Sequence, residues 1–119
     1  MNKNTRSRCY FITLNDTQFE FNKNKIETIL KDFSCKFYAF INHTETDNNH
    51  YHIVIRFNSG VYFSTIKQAF NNKAHIEIAS NFNACCLYLI HGGQEDKKQY
   101  SINDVITNNY TYLESCINS

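Results

Sequence analysis

The sequence predicts an α+β domain in which an antiparallel sheet carries helices packed on one face. Runs rich in β-branched and aromatic residues alternate with segments whose apolar residues recur at helical spacing. Only the polar segment HTETDNN separates two of the strand-like runs, which permits them to pair as antiparallel neighbours. With 119 residues, of which 42% are hydrophobic, the chain is long enough to bury a core. We therefore expect one domain spanning 1–119.

The first half of the chain reads as one strand, one helix and two further strands. RCYFITLN (8–15) combines β-branched and aromatic residues, and KNKIETILKDF (23–33) places its apolar residues at helical spacing. CKFYAFIN (35–42) and HYHIVIRF (50–57) are the two strands on either side of the polar loop. They are predicted to form an antiparallel hairpin.

The second half begins where NSG (58–60) is predicted to break the chain. Together with the first half, it gives the order β-α-β-β-α-β-α, which is typical of ferredoxin-like folds. The tail is rich in Asn and Tyr and has no assignable pattern. The predicted elements are a helix at 63–70, a strand at 74–79, a helix at 81–91 ended by Gly92 and Gly93, and a short helix near 103–107.

Several protein classes are excluded by composition. No apolar stretch is long enough to span a bilayer, and the N-terminus has no apolar signal core. The five cysteines are scattered, odd in number and without a CxxC pair, so we expect buried free thiols. The three glycines do not form a phosphate-binding P-loop. The net charge of +1 does not by itself indicate a nucleic-acid partner, although Lys and Arg are unevenly distributed.

Histidines and acids concentrate at the predicted hairpin. In an extended strand His50 and His52 point to the same face, so they either hold a metal ion together or are ordinary polar residues at a strand end. His43 ends the preceding strand, and Glu45 and Asp47 follow it in the loop. Neutral imidazoles with a carboxylate suit Mn²⁺ or Mg²⁺ with open positions for a phosphate oxygen. The clustering favours the metal-site interpretation.

A candidate nucleophile lies in the third predicted helix, at 81–91. Tyr88 is followed one turn later by His91 on the same side of the helix. A phenol with a basic neighbour, facing a metal-bound phosphate, could carry out a transesterification that leaves a phosphotyrosine. The alternative for Tyr88 is a core residue of an amphipathic helix.

Three blocks of the sequence resemble the motifs of HUH endonucleases. YFITLN, HYHIVIRF and CLYLIHGGQEDKKQYS come in the order and approximate spacing of those motifs, over residues 8 to about 106. The family comprises rolling-circle replication initiators of small plasmids and of circular single-stranded DNA viruses. Its members nick one strand at an origin, stay joined to the 5′ phosphate through tyrosine and free a 3′ hydroxyl.

The resemblance implies roles for individual residues. Tyr88 matches the nucleophile of the family, with Tyr100 as a rival outside the motif, and His50 and His52 match metal ligands. His43 matches a further ligand of the plasmid group, whose acidic ligand lies three residues later. That position is Thr46 here, so Glu45 and Asp47 both stay open as the acidic ligand. The implied cofactor is Mn²⁺ or Mg²⁺.

The resemblance also implies partners and a location. The partners would be single-stranded origin DNA, in some cases a hairpin, and a host helicase and polymerase or a helicase domain in a longer chain. No membrane partner is expected. The location would be the cytoplasm of a bacterial host, or the nucleus for a eukaryotic virus. The candidate DNA contacts are Arg6, Arg8, Arg56, Lys67, Lys97 and Lys98.

Three other functions compete with origin nicking. A non-catalytic RNA-recognition-like module shares the strand and helix order, but the Gly-rich aromatic strand motif of that class is missing. A single-tyrosine HUH transposase would use the same parts. A structural metal domain would need a closed set of ligands and would unfold with a chelator.

Overall fold

The computed structural model describes residues 4–16, 20–44 and 49–119. They form a five-stranded antiparallel sheet, and four helices pack on it, which confirms the α+β class. The strand order is β4-β1-β3-β2-β5, so β3 lies at the centre. The strands are β1 (Arg6–Asp16), β2 (Phe37–His43), β3 (Asn49–Tyr62), β4 (His75–Ile78) and β5 (Ile106–Thr107).

Helices cover both faces of the sheet, so the expectation of helices on one face was wrong. Ile53 and Val54 are adjacent on β3 and are both fully buried, although they point to opposite faces. Two separate cores result, one on each side. The first core is covered by α1 (Lys23–Asp32) and α2 (Phe63–Ala69), and the second by α3 (Phe82–Leu89) and α4 (Tyr110–Ile117).

The central strand β3 is longer than predicted because NSG does not break it. The strand continues to Tyr62, where it pairs with Arg6 of β1. The register shifts between Ser7 and Cys9 of β1, so the extra residues of β3 form an irregularity within the pairing. The glycine therefore lies in a bulged strand and not in a connecting loop.

The C-terminal tail contains three elements. The predicted helix near 103–107 is instead a 3₁₀ turn at Ile102–Asp104 followed by the edge strand β5. The turn is closed by a capping box in which Asp104 accepts from the backbone N–H of Ser101. Helix α4 had no assignable sequence pattern, and it buries Leu113 and Cys116 against α3.

The expectation of buried free thiols is confirmed only in part. All five cysteines are free, but Cys86 and Cys116 alone are buried, whereas Cys9, Cys35 and Cys85 are partly exposed. Burial raises the pKa of the Cys86 thiol and of its neighbour Cys85, which keeps both protonated at neutral pH. None of the helices in the described ranges has the length and apolar character needed to cross a membrane.

Candidate functional site

The hairpin of β2 and β3 brings the predicted histidines to one end of one face of the sheet. His43 is the register partner of His50, and Ile41 is the partner of His52. Because side chains alternate along a strand, all three histidines lie on the face that α3 and α4 cover. Glu45 and Asp47, the two candidate acids, lie outside the described residues.

His43 is at the centre of the cluster and is nearly inaccessible, with 4% of its surface exposed. Its ring centroid lies 4.5 Å from that of His52 and 4.2 Å from that of His91. Its Nε2 donates to the carbonyl oxygen of Leu89 over 2.7 Å, which leaves the lone pair of the neutral ring on Nδ1. The last turn of α3 therefore fixes both the orientation and the tautomer of His43.

The end of α3 presents His91 to this cluster through a Schellman motif. The backbone N–H of Gly92 donates to the carbonyl of Leu87, and that of His91 donates to the carbonyl of Tyr88. His91 occupies the left-handed position of the motif, with a φ of +58°, where glycine is usual. Gly92 is needed for space, since a Cβ there would overlap the side chain of Leu87.

Tyr88 is half-buried and faces the histidines from α3. Its ring meets the ring of His52 edge-on at 5.3 Å between centroids and the ring of His91 at 5.7 Å. The centroid of His43 is 6.2 Å away. The structure thus brings together the predicted nucleophile, its basic neighbour and two of the predicted ligands.

Three residues that the sequence analysis did not select complete the site. Phe11 of β1 stacks on His52 with ring planes 7° apart and meets Tyr88 edge-on. Thr13 places its Oγ1 3.4 Å from Nδ1 of His52. The alternation of β1 puts Phe11 and Thr13 on the face of Cys9, but only the pairing of β1 with β3 sets them opposite Val54 and His52.

The third such residue is Tyr100, which was considered only as a rival nucleophile. Its ring stacks on His43 at 4.9 Å with planes 13° apart. Its hydroxyl accepts a hydrogen bond from the backbone N–H of Thr44 over 3.0 Å. Tyr100 therefore lies against the buried histidine and connects the late loop to the end of β2.

The loop from 91 to 100 is held by its own hydrogen bonds. Nδ1 of His91 donates to the carbonyl of Lys98 over 2.8 Å. The side-chain amide of Gln99 donates to three carbonyl oxygens, those of His91, Gln94 and Lys97. These bonds keep His91 and Tyr100 in place at the two ends of the loop.

The imidazoles only partly satisfy the requirements of a metal site. In the described ranges, no three His, Cys, Asp or Glu side chains are arranged to hold a metal ion. His43 and His91 each donate one ring N–H to a backbone carbonyl, which fixes the orientation of both rings, as is common for ligand histidines. The metal site stays a prediction, because the predicted carboxylates lie outside the described residues.

The predicted DNA contacts are spread over the molecule. Arg6 and Arg8 are exposed at the end of β1 that is remote from His52, and Arg56 has internal partners on the site face. Lys67 lies on α2, which covers the opposite face of the sheet from the histidines, and its Nζ donates to the carbonyl of Ala74. Lys97 and Lys98 are exposed in the loop beside the site, the latter with Nζ 5.0 Å from the ring centroid of Tyr100.

Two comparisons with known proteins, a family model and a curated relative, agree with each other. Residues 3–114 match the family model described as plasmid replication protein, origin binding domain. A curated replication protein of Onion yellows phytoplasma (strain OY-M) is 32% identical over 108 aligned positions, which cover 72% of this chain. The matched part is 29% of that relative, so this chain spans less than a third of its length. The chain therefore belongs to the family of plasmid replication protein origin-binding domains.

Proposed function

We propose that this domain initiates replication by nicking one DNA strand at an origin, with Tyr88 as the nucleophile. The observation that carries the proposal is the position of the half-buried Tyr88 ring, 5.3 Å from His52 and 5.7 Å from His91. A tyrosine that served only the core would not need polar imidazoles on its inner side. The family assignment and the phytoplasma replication protein support a role in replication.

The proposed reaction is a transesterification. His91 takes the phenol proton, and Oη of Tyr88 forms a bond to the scissile phosphorus as the bond from phosphorus to the 3′ oxygen breaks. The leaving 3′ oxygen receives the proton from His91 and becomes a 3′ hydroxyl that can prime synthesis. Attack of a 3′ hydroxyl on the phosphotyrosine reverses these steps and rejoins the strand.

The other histidines would serve the phosphate. His50 and His52, with His43 and either Glu45 or Asp47, would hold Mn²⁺ or Mg²⁺, which when bound polarises the phosphodiester and offsets its growing charge. The chain itself orients His52 through the Phe11 stack and His43 through the carbonyl of Leu89. The substrate would be single-stranded origin DNA, and a host helicase and polymerase would act on the product.

The first test is a covalent adduct on denaturing electrophoresis. The protein is incubated with single-stranded hairpin oligonucleotides taken from the origin of its replicon, with Mn²⁺ or with EDTA. We expect a Mn²⁺-dependent, denaturation-resistant adduct that is absent from Tyr88→Phe and strongly reduced in His52→Ala. Both variants should retain DNA binding, because neither change removes a surface cation.

Tyr100→Phe is the matched control, since it removes a phenol from the same site. It should still form the adduct, more slowly, because the hydrogen bond from Thr44 is lost. An adduct that persists in Tyr88→Phe and disappears in Tyr100→Phe would assign the nucleophile to Tyr100. DNA binding with no adduct on the authentic origin would favour a non-catalytic origin-binding module.

A further inference from the structure

A concave feature of the surface lies near the start of α3, at the opposite end of the helix from Tyr88. It is a surface pocket of about 260 Å³, lined by Arg8, Cys9, Lys36, Arg56, Phe57 and Asn58. Three of these side chains are cationic and none is acidic. Clusters of like charge oppose folding unless a counter-charge is supplied, so this concentration calls for an anionic ligand.

Among the described residues, no acidic side chain forms a salt bridge with these cations. The two salt bridges formed among the described residues, Lys73–Glu20 and His75–Glu77, involve none of them. Arg56 is instead held by neutral groups: its Nε donates to Sγ of Cys9, and Nη1 donates to the hydroxyl of Tyr112. Its positive charge is therefore fixed in position and not cancelled.

Aromatic rings fix this charge further. The guanidinium of Arg56 lies 4.2 Å from the ring centroid of Phe82, and it also lies over the ring of Tyr112. Nζ of Lys36 approaches the same Tyr112 ring at 5.9 Å. A pre-positioned guanidinium with a lysine beside it and an exposed arginine at the rim is suited to the oxygens of a phosphate group.

The spacing relates this pocket to the nicking site. His52 and Arg56 lie on the same face of β3, four residues apart, which is about 13 Å along a strand. The rings of Phe82 and Tyr88 contact these two residues from the two ends of α3. Because each strand of duplex DNA carries one phosphate per about 3.4 Å of axis, this separation corresponds to roughly four base pairs.

We propose that the basic pocket of Arg8, Lys36 and Arg56 binds a backbone phosphate of origin DNA, a few nucleotides from the phosphate at Tyr88. The inference rests on the proposed function only in that the domain binds DNA, and it does not require nicking. The contact is independent of sequence, since it involves the backbone, and it sets the position of the DNA relative to the nucleophile.

The test measures binding without chemistry. Fluorescence anisotropy is recorded in the Tyr88→Phe background with EDTA, using a labelled duplex of arbitrary sequence and labelled oligothymidylate. The double variant Arg8→Ala/Lys36→Ala should bind more weakly than its parent. The slope of log affinity against log salt concentration should become shallower by up to about one, because the pocket is proposed to neutralise one phosphate. Both residues are exposed, so thermal unfolding should be nearly unchanged.

Two controls separate the pocket from net charge. Lys25→Ala/Lys31→Ala removes the same charge from α1, on the other side of the sheet, and should leave the salt slope almost unchanged. Arg8→Lys/Lys36→Arg keeps the charge and should keep the affinity. A loss with duplex alone places the phosphate in a duplex flank, and a loss with oligothymidylate alone places it in a single strand. An unchanged slope in the pocket variant, or an equal loss in the α1 control, would overturn the proposal whether or not adducts form with wild-type protein.

Discussion

His91 adopts a left-handed backbone conformation, which is uncommon for residues other than glycine. A residue with a Cβ in this region costs roughly 1–2 kcal/mol, although Asn, Asp and His adopt it more often than other such residues. The chain nevertheless has histidine at this position, although Gly92 follows directly. The conformation places the imidazole 4.2 Å from the ring of His43, with only 2% of the residue exposed. The strained backbone of His91 therefore gives its imidazole a defined position in the site.

This strain distinguishes two substitutions of His91. His91→Asn removes the base and keeps a residue that tolerates left-handed backbone, so adduct formation should slow by about 10²-fold or more. His91→Ala loses the base and that tolerance together. We therefore expect the Asn variant to unfold at a higher temperature than the Ala variant, with adduct formation slow in both. Adduct formation at the wild-type rate in His91→Asn would remove His91 from the mechanism.

The rings around His52 show a second effect at the scale of single residues. Phe11 is an apolar residue of a core strand, and it stacks on His52 and meets Tyr88 edge-on, so it contacts both rings of this pair. Aromatic pairs of this kind contribute about 0.5–1.5 kcal/mol beyond the area that they bury. The apolar core on this face therefore also fixes the relative position of a candidate ligand and the candidate nucleophile.

At the scale of elements, the loop from 91 to 100 determines whether the site is assembled. It begins at His91 and ends at Tyr100, and the rings of both contact His43. The loop has little regular structure, so the side-chain amide of Gln99 supplies the hydrogen bonds that a strand or helix would otherwise provide. The side-chain amide of Gln99 thus adds to the backbone hydrogen bonds of the loop and to the bond from His91 to Lys98.

Gln99→Glu tests this contribution. A carboxylate can only accept hydrogen bonds, so it would face three carbonyl oxygens without a donor. Because Gln99 is exposed, we expect the free energy of unfolding to fall by about 0.5–1.5 kcal/mol and adduct formation to slow, as measured by thermal unfolding and by gel. Gln94→Glu makes the same charge change in the same loop and should have a much smaller effect. Equal effects of the two variants would attribute the loss to charge alone.

At the scale of the whole molecule, the sheet separates two cores, and only one of them borders the histidine cluster and the basic pocket. Among the described residues, the buried polar side chains are the three imidazoles of the site, and none of them belongs to the core under α1 and α2. The core under α3 and α4 continues at one end into the histidine cluster and at the other into the basic pocket. Helix α4 does not contribute a residue to the histidine cluster, but it packs against the helix that carries Tyr88.

Leu113→Ala tests whether α4 is part of the same cooperative unit. Leu113 is fully buried between α4 and the sheet face, and its truncation should lower the free energy of unfolding by about 2–5 kcal/mol. Denaturation followed by circular dichroism and by tyrosine fluorescence should give one shared transition. Glu114→Ala, at an exposed position of the same helix, should change stability by less than about 0.5 kcal/mol. Two separate transitions would show that the second core folds independently.

The amino-acid sequence by itself determined the order of the first seven elements and the shared face of His50 and His52. These properties depend on local periodicity, which a single strand or helix expresses without its neighbours. The sequence also indicated the hairpin that makes His43 the register partner of His50, because a short polar loop leaves few other pairings.

The tertiary structure alone decided which rings surround His43 and which face each helix covers. Tyr100 and Phe11 reach the site from a late loop and from another strand, so no local pattern links them to the histidines. The continuation of β3 through NSG likewise depends on β1, because pairing between the two strands resumes beyond the irregularity, at Val61 and Tyr62. Local patterns specify elements, whereas contacts between residues far apart in the chain arise only when burial of both sheet faces brings the elements together.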